Sequence, residues 1–186
     1  MLGLRICFFI IKIHFTEEQS VNKTFSSQLG QVAWVVSDIQ AAEKFFQDVM
    51  GVRNFVKLEN LRAEDTAGTY YGKPGDYVFH LYMAYSGDTL IEIIQPVSGQ
   101  SIFQDYLGKH PEGGVQHIAY VVSDSEFSKS ISELNKKGYE VIQSLNLPVA
   151  NVAFFDTIKK VGVVTEIIGL TAAGVDFLRD LKIDAG

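Results

Sequence analysis

An α+β fold built from two tandem β-α-β-β-β modules is what this 186-residue sequence predicts. Two internal echoes carry the prediction. The string Gln31-Val-Ala-Trp-Val-Val-Ser-Asp38 returns 86 residues later as His117-Ile-Ala-Tyr-Val-Val-Ser-Asp124, with five of eight positions identical. Ile91-Glu92-Ile93-Ile94 returns 74 residues later as Thr165-Glu166-Ile167-Ile168. Both echoes keep the same order, as a duplicated unit does, and a longer loop in the first copy accounts for the unequal intervals. The third observation is compositional. Hydrophobic residues make up 47% and charged residues 20%, the balance of a folded, soluble chain.

The elements run in order along the chain. The β-branched and aromatic run 31–37 is a strand. Asp38 is placed as an N-cap for a helix over Ile39–Met50, whose apolar residues Ala42, Phe45, Phe46 and Val49 recur at helical spacing, and Gly51 ends it. A strand is expected at 52–59 and a polar, glycine-bearing loop at Leu61–Asp76. Strands Tyr77–Tyr85 and Thr89–Gln95 flank the turn Ser86-Gly87-Asp88. Ser101–Leu107 reads as a short helix, and Pro111-Glu112-Gly113-Gly114 as a flexible link. The second copy gives a strand at 116–123, a helix at 125–137 ended by Gly138, and strands near 139–145, 150–156 and 161–168. A final helix spans Ala172–Leu181.

This partitions the chain into an N-terminal extension (1–27), a domain over 28–170 with modules at 30–97 and 114–170, and a C-terminal helix and tail (171–186). In the extension, the apolar run Ile6–Ile11 is bounded by Arg5 and Lys12 and is too short to span a membrane, and no small-residue cleavage site comes after it. The net charge of −6 and the pI of about 5.2 argue against a general nucleic-acid binder. A single cysteine, Cys7, excludes an intrachain disulfide and a four-thiolate metal site. A cytoplasmic protein with neither nucleic acid nor membrane as partner is expected.

Four polar residues stand at equivalent places in the two copies. Gln31 and His117 open the two first strands, while Glu92 and Glu166 lie among isoleucines on the two last strands. Singly, each glutamate reads as a solvent-facing strand residue and His117 as a satisfied core histidine. As a symmetric set they converge, because a glutamate in such a strand is costly to bury unless it is paired, protonated or bound to metal. One imidazole, two carboxylates and an amide oxygen suit a divalent cation. Two curved modules side by side would form the concavity that receives a ligand.

The duplicated pattern resembles the vicinal oxygen chelate superfamily, which includes glyoxalase I, methylmalonyl-CoA epimerase, extradiol dioxygenases and bleomycin-resistance proteins. The resemblance covers about residues 29–170. Ile91-Glu92-Ile93-Ile94-Gln95-Pro96, then Gly113-Gly114-Val115-Gln116-His117-Ile118, then Val164-Thr165-Glu166-Ile167-Ile168 look like methylmalonyl-CoA epimerase. A glutamine at the first ligand position, Gln31, looks instead like one type of glyoxalase I. The resemblance implies a metal site of Gln31, Glu92, His117 and Glu166 holding Co, Mn, Zn, Ni or Mg. It implies α-proton abstraction through an enolate, with Glu166 and His80 as the acid–base pair. His80 falls where the epimerases carry a glutamate base, and packing within the sheet is the equal alternative for it.

The substrate implied is an acyl-CoA thioester, or the glutathione hemithioacetal of a lactoylglutathione lyase. Lys57, Arg62 and Lys73 are the candidate cations for either. A non-catalytic binding protein of the bleomycin-resistance type is the third reading, with Tyr70, Tyr71, Tyr82, Tyr85 and Phe79 as candidate pocket residues. Asp156 reads as a turn residue at a strand end. Members of the superfamily often pair modules across dimers. With both modules in one chain, monomer and homodimer are both open.

Overall fold

The computed structural model describes residues 28–184. The expected N-terminal extension lies outside the described residues. In chain order the elements are β1 (Gln28–Val35), α1 (Ile39–Asp48), β2 (Val56–Arg62), β3 (Thr69–Tyr70), β4 (Lys73–Pro74), β5 (Val78–Ser86), β6 (Thr89–Ser98), α2 (Ile102–Lys109), β7 (Gly114–Ser123), α3 (Asp124–Lys136), β8 (Val141–Asn146), β9 (Ala150–Phe155), α4 (Ile158–Val161), β10 (Val164–Leu170) and α5 (Ala172–Asp184). One mixed, curled sheet takes the order β2-β5-β6-β1-β7-β10-β9-β8-β3-β4. Apart from β3 and β4 at one edge, the order is symmetric about the β1–β7 junction. Those two strands run antiparallel, and each pairs in parallel with the last long strand of its own copy, β1 with β6 and β7 with β10.

The pleat sorts the side chains of each strand to two faces. On the convex face, α1 covers Tyr82, Ala84, Ile91 and Ile93, and α3 covers Val122, Ala153, Phe155 and Ile167. On the concave face, Val35, Phe79, Leu81, Ile94, Ala119, Phe154, Val164 and Ile168 form one continuous apolar cluster. The helix after each copy's last strand reaches that cluster or the cavity beside it, α2 with Phe103 and α5 with Phe177 and Leu178.

Local signals explain most element ends. The Asp38 carboxylate accepts the Gln40 and Ala41 N–H groups and caps α1, as expected. Ser101 caps α2 by accepting from the Gln104 N–H. Gly113 sits at φ +74, and a Cβ there would lie 2.7 Å from the Val35 carbonyl oxygen, so the entry to β7 requires glycine.

The structure differs from the expected elements in three places. The strand expected at 52–59 begins at Val56, because Gly51 (φ 73) and Asn54 (φ 57) bend the chain away from α1 first. The expected loop 61–76 contains β3 and β4, and β3 pairs with β8 of the second copy. The strand expected from 161 begins at Val164, since α4 and Gly162 (φ 83) occupy the approach. On α1, Phe45 and Val49 face solvent rather than the sheet.

Candidate metal centre

The strand register brings the four symmetric residues to one point. Gln31 lies beside Ala119, and His117 beside Ala33, across the β1–β7 pair. Glu92 flanks Ala33 from β6, and Glu166 flanks Ala119 from β10. All four therefore project from the concave face at the pseudo-twofold junction. Two bulges aim them. Leu29 pairs with Tyr120 and Gln31 with Ala119, leaving Gly30 extra, and Ala33 pairs with His117 and Trp34 with Val115, leaving Gln116 extra. Each bulge immediately precedes a cluster residue, which is how sheets commonly re-aim functional side chains.

The cluster is buried and tight. Exposures are 3% for Gln31, 6% for Glu92, 0% for His117 and 4% for Glu166. The His117 Nε2 lies 3.2 Å from an oxygen of Glu92 and 3.2 Å from one of Glu166. The ligand atoms of Glu92, His117 and Glu166 all fall within 4.8 Å of one another. The Gln31 amide nitrogen donates to Glu166 at 3.2 Å, and a half-turn of that amide puts its oxygen in the same place.

The second ring nitrogen is also committed. His117 Nδ1 lies 2.6 Å from the Gln116 side-chain oxygen. A carbonyl oxygen there requires Nδ1 to carry a proton, so Nε2 is the nitrogen that holds the lone pair when the ring is neutral. Nε2 is buried and, with a carboxylate oxygen at 3.2 Å on either side, is left without a well-formed hydrogen bond. A buried lone pair with no hydrogen-bond partner, aimed between two carboxylates, is the geometry of a ligand atom.

The electrostatics of the ion-free cluster are strained. Burial is the largest influence on His117 and pulls its pKa down, but Glu166 and Glu92 together outweigh it and hold it at about 9. Burial pushes Glu166 above the usual carboxylate range, against the pull of His117 and with the help of Glu92. Two buried carboxylates facing one imidazole leave the cluster at net −1 even with His117 protonated. A divalent cation on neutral imidazole brings it to zero. The donor set, one imidazole nitrogen with two carboxylates and an amide oxygen, fits a borderline-hard divalent ion.

Gln31, Glu92 and Glu166 of the cluster form one wall of a cavity of about 350 Å³, with His117 behind them. Phe79, Leu81 and Met83 of β5, Phe154 of β9, and Phe177 and Leu178 of α5 are among the other walls. Leu58 and Leu61 both reach it, although residues three apart on a regular strand face opposite ways. A bulge explains this. Leu58 pairs with Leu81 and Leu61 with Phe79, so Glu59 and Asn60 together oppose His80 alone.

His80 is a correction. It lies between Phe79 and Leu81, which face the cavity, and so points to the convex side, opposite Gln95 of β6. There its Nδ1 accepts the Asn60 N–H at 3.1 Å, satisfying a donor that the β2 bulge removes from the ladder. Its job is structural, and the acid–base role has no geometric support.

Other expected residues also lie elsewhere. Of the five aromatic candidates, Phe79 lines the large cavity, whereas Tyr82 packs beneath α1 and Tyr71 lines a smaller pocket. Lys57 is tied to Glu43 at 2.6 Å on the convex side, and Arg62 to Glu64 at 3.5 Å. Asp156 is a turn residue, accepting the Ile158 N–H at 3.2 Å. Gln116 is a residue that sequence reasoning passed over. Its only signal was its place directly before the symmetric histidine.

The glyoxalase/bleomycin resistance protein/dioxygenase superfamily matches residues 30–154, and the chain belongs to it. No curated protein sequence matches the chain. Solved structures with the same fold include a hypothetical protein from Bacillus halodurans, 21% identical, covering 79% of this chain and 96% of its own, with a TM-score of 0.57. Another is methylmalonyl-CoA epimerase from Mycobacterium tuberculosis, 17% identical, covering 80% and 91%, with a TM-score of 0.56. A third is a Streptomyces coelicolor methylmalonyl-CoA epimerase variant in complex with 2-nitronate-propionyl-CoA, 19% identical, covering 78% and 96%, with a TM-score of 0.55. At these identities the likeness establishes the fold. Among the described residues no helix is long and apolar enough to cross a membrane.

Proposed function

We propose that this protein is a divalent-metal-dependent isomerase of the epimerase type, moving a proton at the carbon next to a carbonyl. The observation that carries the reading is the His117 Nε2, which is buried, without a hydrogen bond, and 3.2 Å from both Glu92 and Glu166. Gln31, Glu92, His117 and Glu166 would hold the ion. Once bound, the cation supplies positive charge for the carbonyl oxygen as the neighbouring C–H bond breaks.

The chain's own residues do the rest. The C–H proton passes to a carboxylate, and the bonding pair moves toward the carbonyl oxygen. Burial raises the proton affinity of Glu166, which suits it to accept that proton. Glu92, at the equivalent position of the other copy, starts with a proton, gives it to the carbon, and is left ionised while Glu166 is left protonated, ready for the reverse reaction. That gives inversion at the same carbon or, with a shifted substrate, isomerisation to its neighbour. The Gln116 oxygen keeps the His117 proton on Nδ1, out of the reaction. The apolar walls leave the carbonyl end in a poorly hydrated space, where the charges of the cluster act more strongly.

The test is metal depletion followed by re-addition of Co(II) or Mn(II), with deuterium exchange into a panel of carbonyl compounds that includes methylmalonyl-CoA and the methylglyoxal–glutathione hemithioacetal. The expected result is exchange into at least one compound that requires metal and is lost in Glu166→Gln. Full exchange by Glu166→Gln would overturn the mechanism. Tight ligand binding that is indifferent to metal, without exchange, would instead support a binding protein of the bleomycin-resistance type.

A further inference from the structure

We infer that the substrate of this site is a small, uncharged carbonyl compound with a hydrocarbon or aromatic body, rather than a substrate whose reacting end carries anionic groups. The inference rests on the proposed reaction for the carbonyl end alone. The rest comes from the cavity walls.

Among the described residues, four polar ones line the cavity, namely Gln31, Glu92, Glu166 and Thr66. The first three belong to the cluster. The Thr66 hydroxyl is already spent on the carbonyl oxygens of Arg62 and Ala63, at 3.2 Å each. No lysine, arginine or histidine among the described residues lines the cavity. The remaining walls are apolar, including the Leu147-Pro148-Val149 segment and α5 on the side away from the cluster. A carboxylate or phosphate brought inside would lose its hydration and gain no cationic partner, a large penalty. Its single compensation is a cation among the four donors, which takes one of its oxygens and leaves the others against the apolar walls without a hydrogen-bond donor. The nearby lysine and arginine do not help, since Lys57 is paired with Glu43 across the convex face and Arg62 with Glu64.

Size narrows the class further. A volume of about 350 Å³ holds roughly a dozen non-hydrogen atoms, at ~30 Å³ for each water-sized unit. A phenyl or short branched alkyl group attached to two adjacent oxygenated carbons fills it. Phe79, Phe103 and Phe154 stand around the interior for the body to pack against.

Three probes titrated calorimetrically into the protein, with and without Mn(II), test this. They are 1-phenylpropane-1,2-dione, pyruvate and methylmalonyl-CoA. Pyruvate keeps the dione's methyl ketone but replaces the aryl ketone with a carboxylate. With Mn(II) present, the dione is expected to bind about tenfold or more tightly than either anion, and its methyl protons are expected to exchange with heavy water. Tighter binding of pyruvate or methylmalonyl-CoA than of the dione overturns the inference and leaves the metal-dependent reaction standing. Dione binding that is preferred but equal with and without Mn(II), and without exchange, upholds the apolar specificity and overturns the reaction instead. Failure of all three to bind with Mn(II) present overturns the inference.

Discussion

Replacing Gln116 with leucine removes the group that fixes the His117 tautomer and nothing else in the cluster. The Gln116 oxygen lies 2.6 Å from Nδ1, on a residue that is 3% exposed. In Gln116→Leu the Nδ1–H is left without an acceptor, at a cost of about 1–3 kcal/mol for a buried donor. The proton is then better placed on Nε2, 3.2 Å from each carboxylate, and there it blocks the lone pair that a metal needs. Residues supporting a metal-bound histidine are commonly worth about 10–100-fold in affinity, or about 1.4–2.8 kcal/mol. Gln116→Leu is therefore expected to bind Co(II) or Mn(II) that much more weakly, by competition with a chromogenic chelator, while thermal unfolding stays cooperative. Gln116→Glu keeps an acceptor at Nδ1 and is expected to recover the affinity. Unchanged metal affinity in Gln116→Leu would refute the reasoning, because Nε2 would then not depend on its partner nitrogen.

Further outcomes are expected. His117 and Glu166 both bind their protons more tightly folded than unfolded, after burial and the neighbouring charges are balanced. Their contribution to stability is thus complete at low pH. It fades as pH rises from the ordinary carboxylate range, through 6.5, to about 9 for His117. The metal-free protein should lose melting temperature over that window, and the Mn(II)-loaded protein should not, by scanning calorimetry at fixed ionic strength. His80→Ala should retain full turnover and lose about 1 kcal/mol or less in urea unfolding, the worth of one exposed hydrogen bond to Asn60. Lost turnover with stability intact would return His80 to the chemistry. Gly174→Ala should cost more than a surface substitution, because a Cβ there would collide with the Val149 carbonyl oxygen. That clash lifts α5, so Phe177 should become accessible to proteolysis near it, and an unaltered digestion pattern would contradict the packing.

The site was legible in the sequence for a reason that the rest of the molecule does not share. A duplication forces equivalent positions to meet at the symmetry axis. The paired strings around Gln31 and His117, and around Glu92 and Glu166, therefore carried distance information that single residues lack. Strand β5 offered nothing of the kind. It packs on both faces, with Phe79 and Leu81 buried toward the cavity and Tyr82 and Ala84 toward α1. Apolar alternation could not say which way His80 points. The bulges were hidden as well. An extra residue at Gly30, at Gln116 or at Glu59-Asn60 has no compositional mark. Yet each reverses the face of the residues beyond it, and two of the three aim residues of the cluster. The cavity's character was hidden for another reason. Its far wall comes from α5 and the 147–149 segment, which pack through a close approach at Gly174 rather than through a repeated apolar stripe. The duplication thus encodes where the four polar side chains meet, while the features that shape the cavity beside them lie where the two copies no longer match. Two proteins of this superfamily with the same four donors need not accept the same substrate.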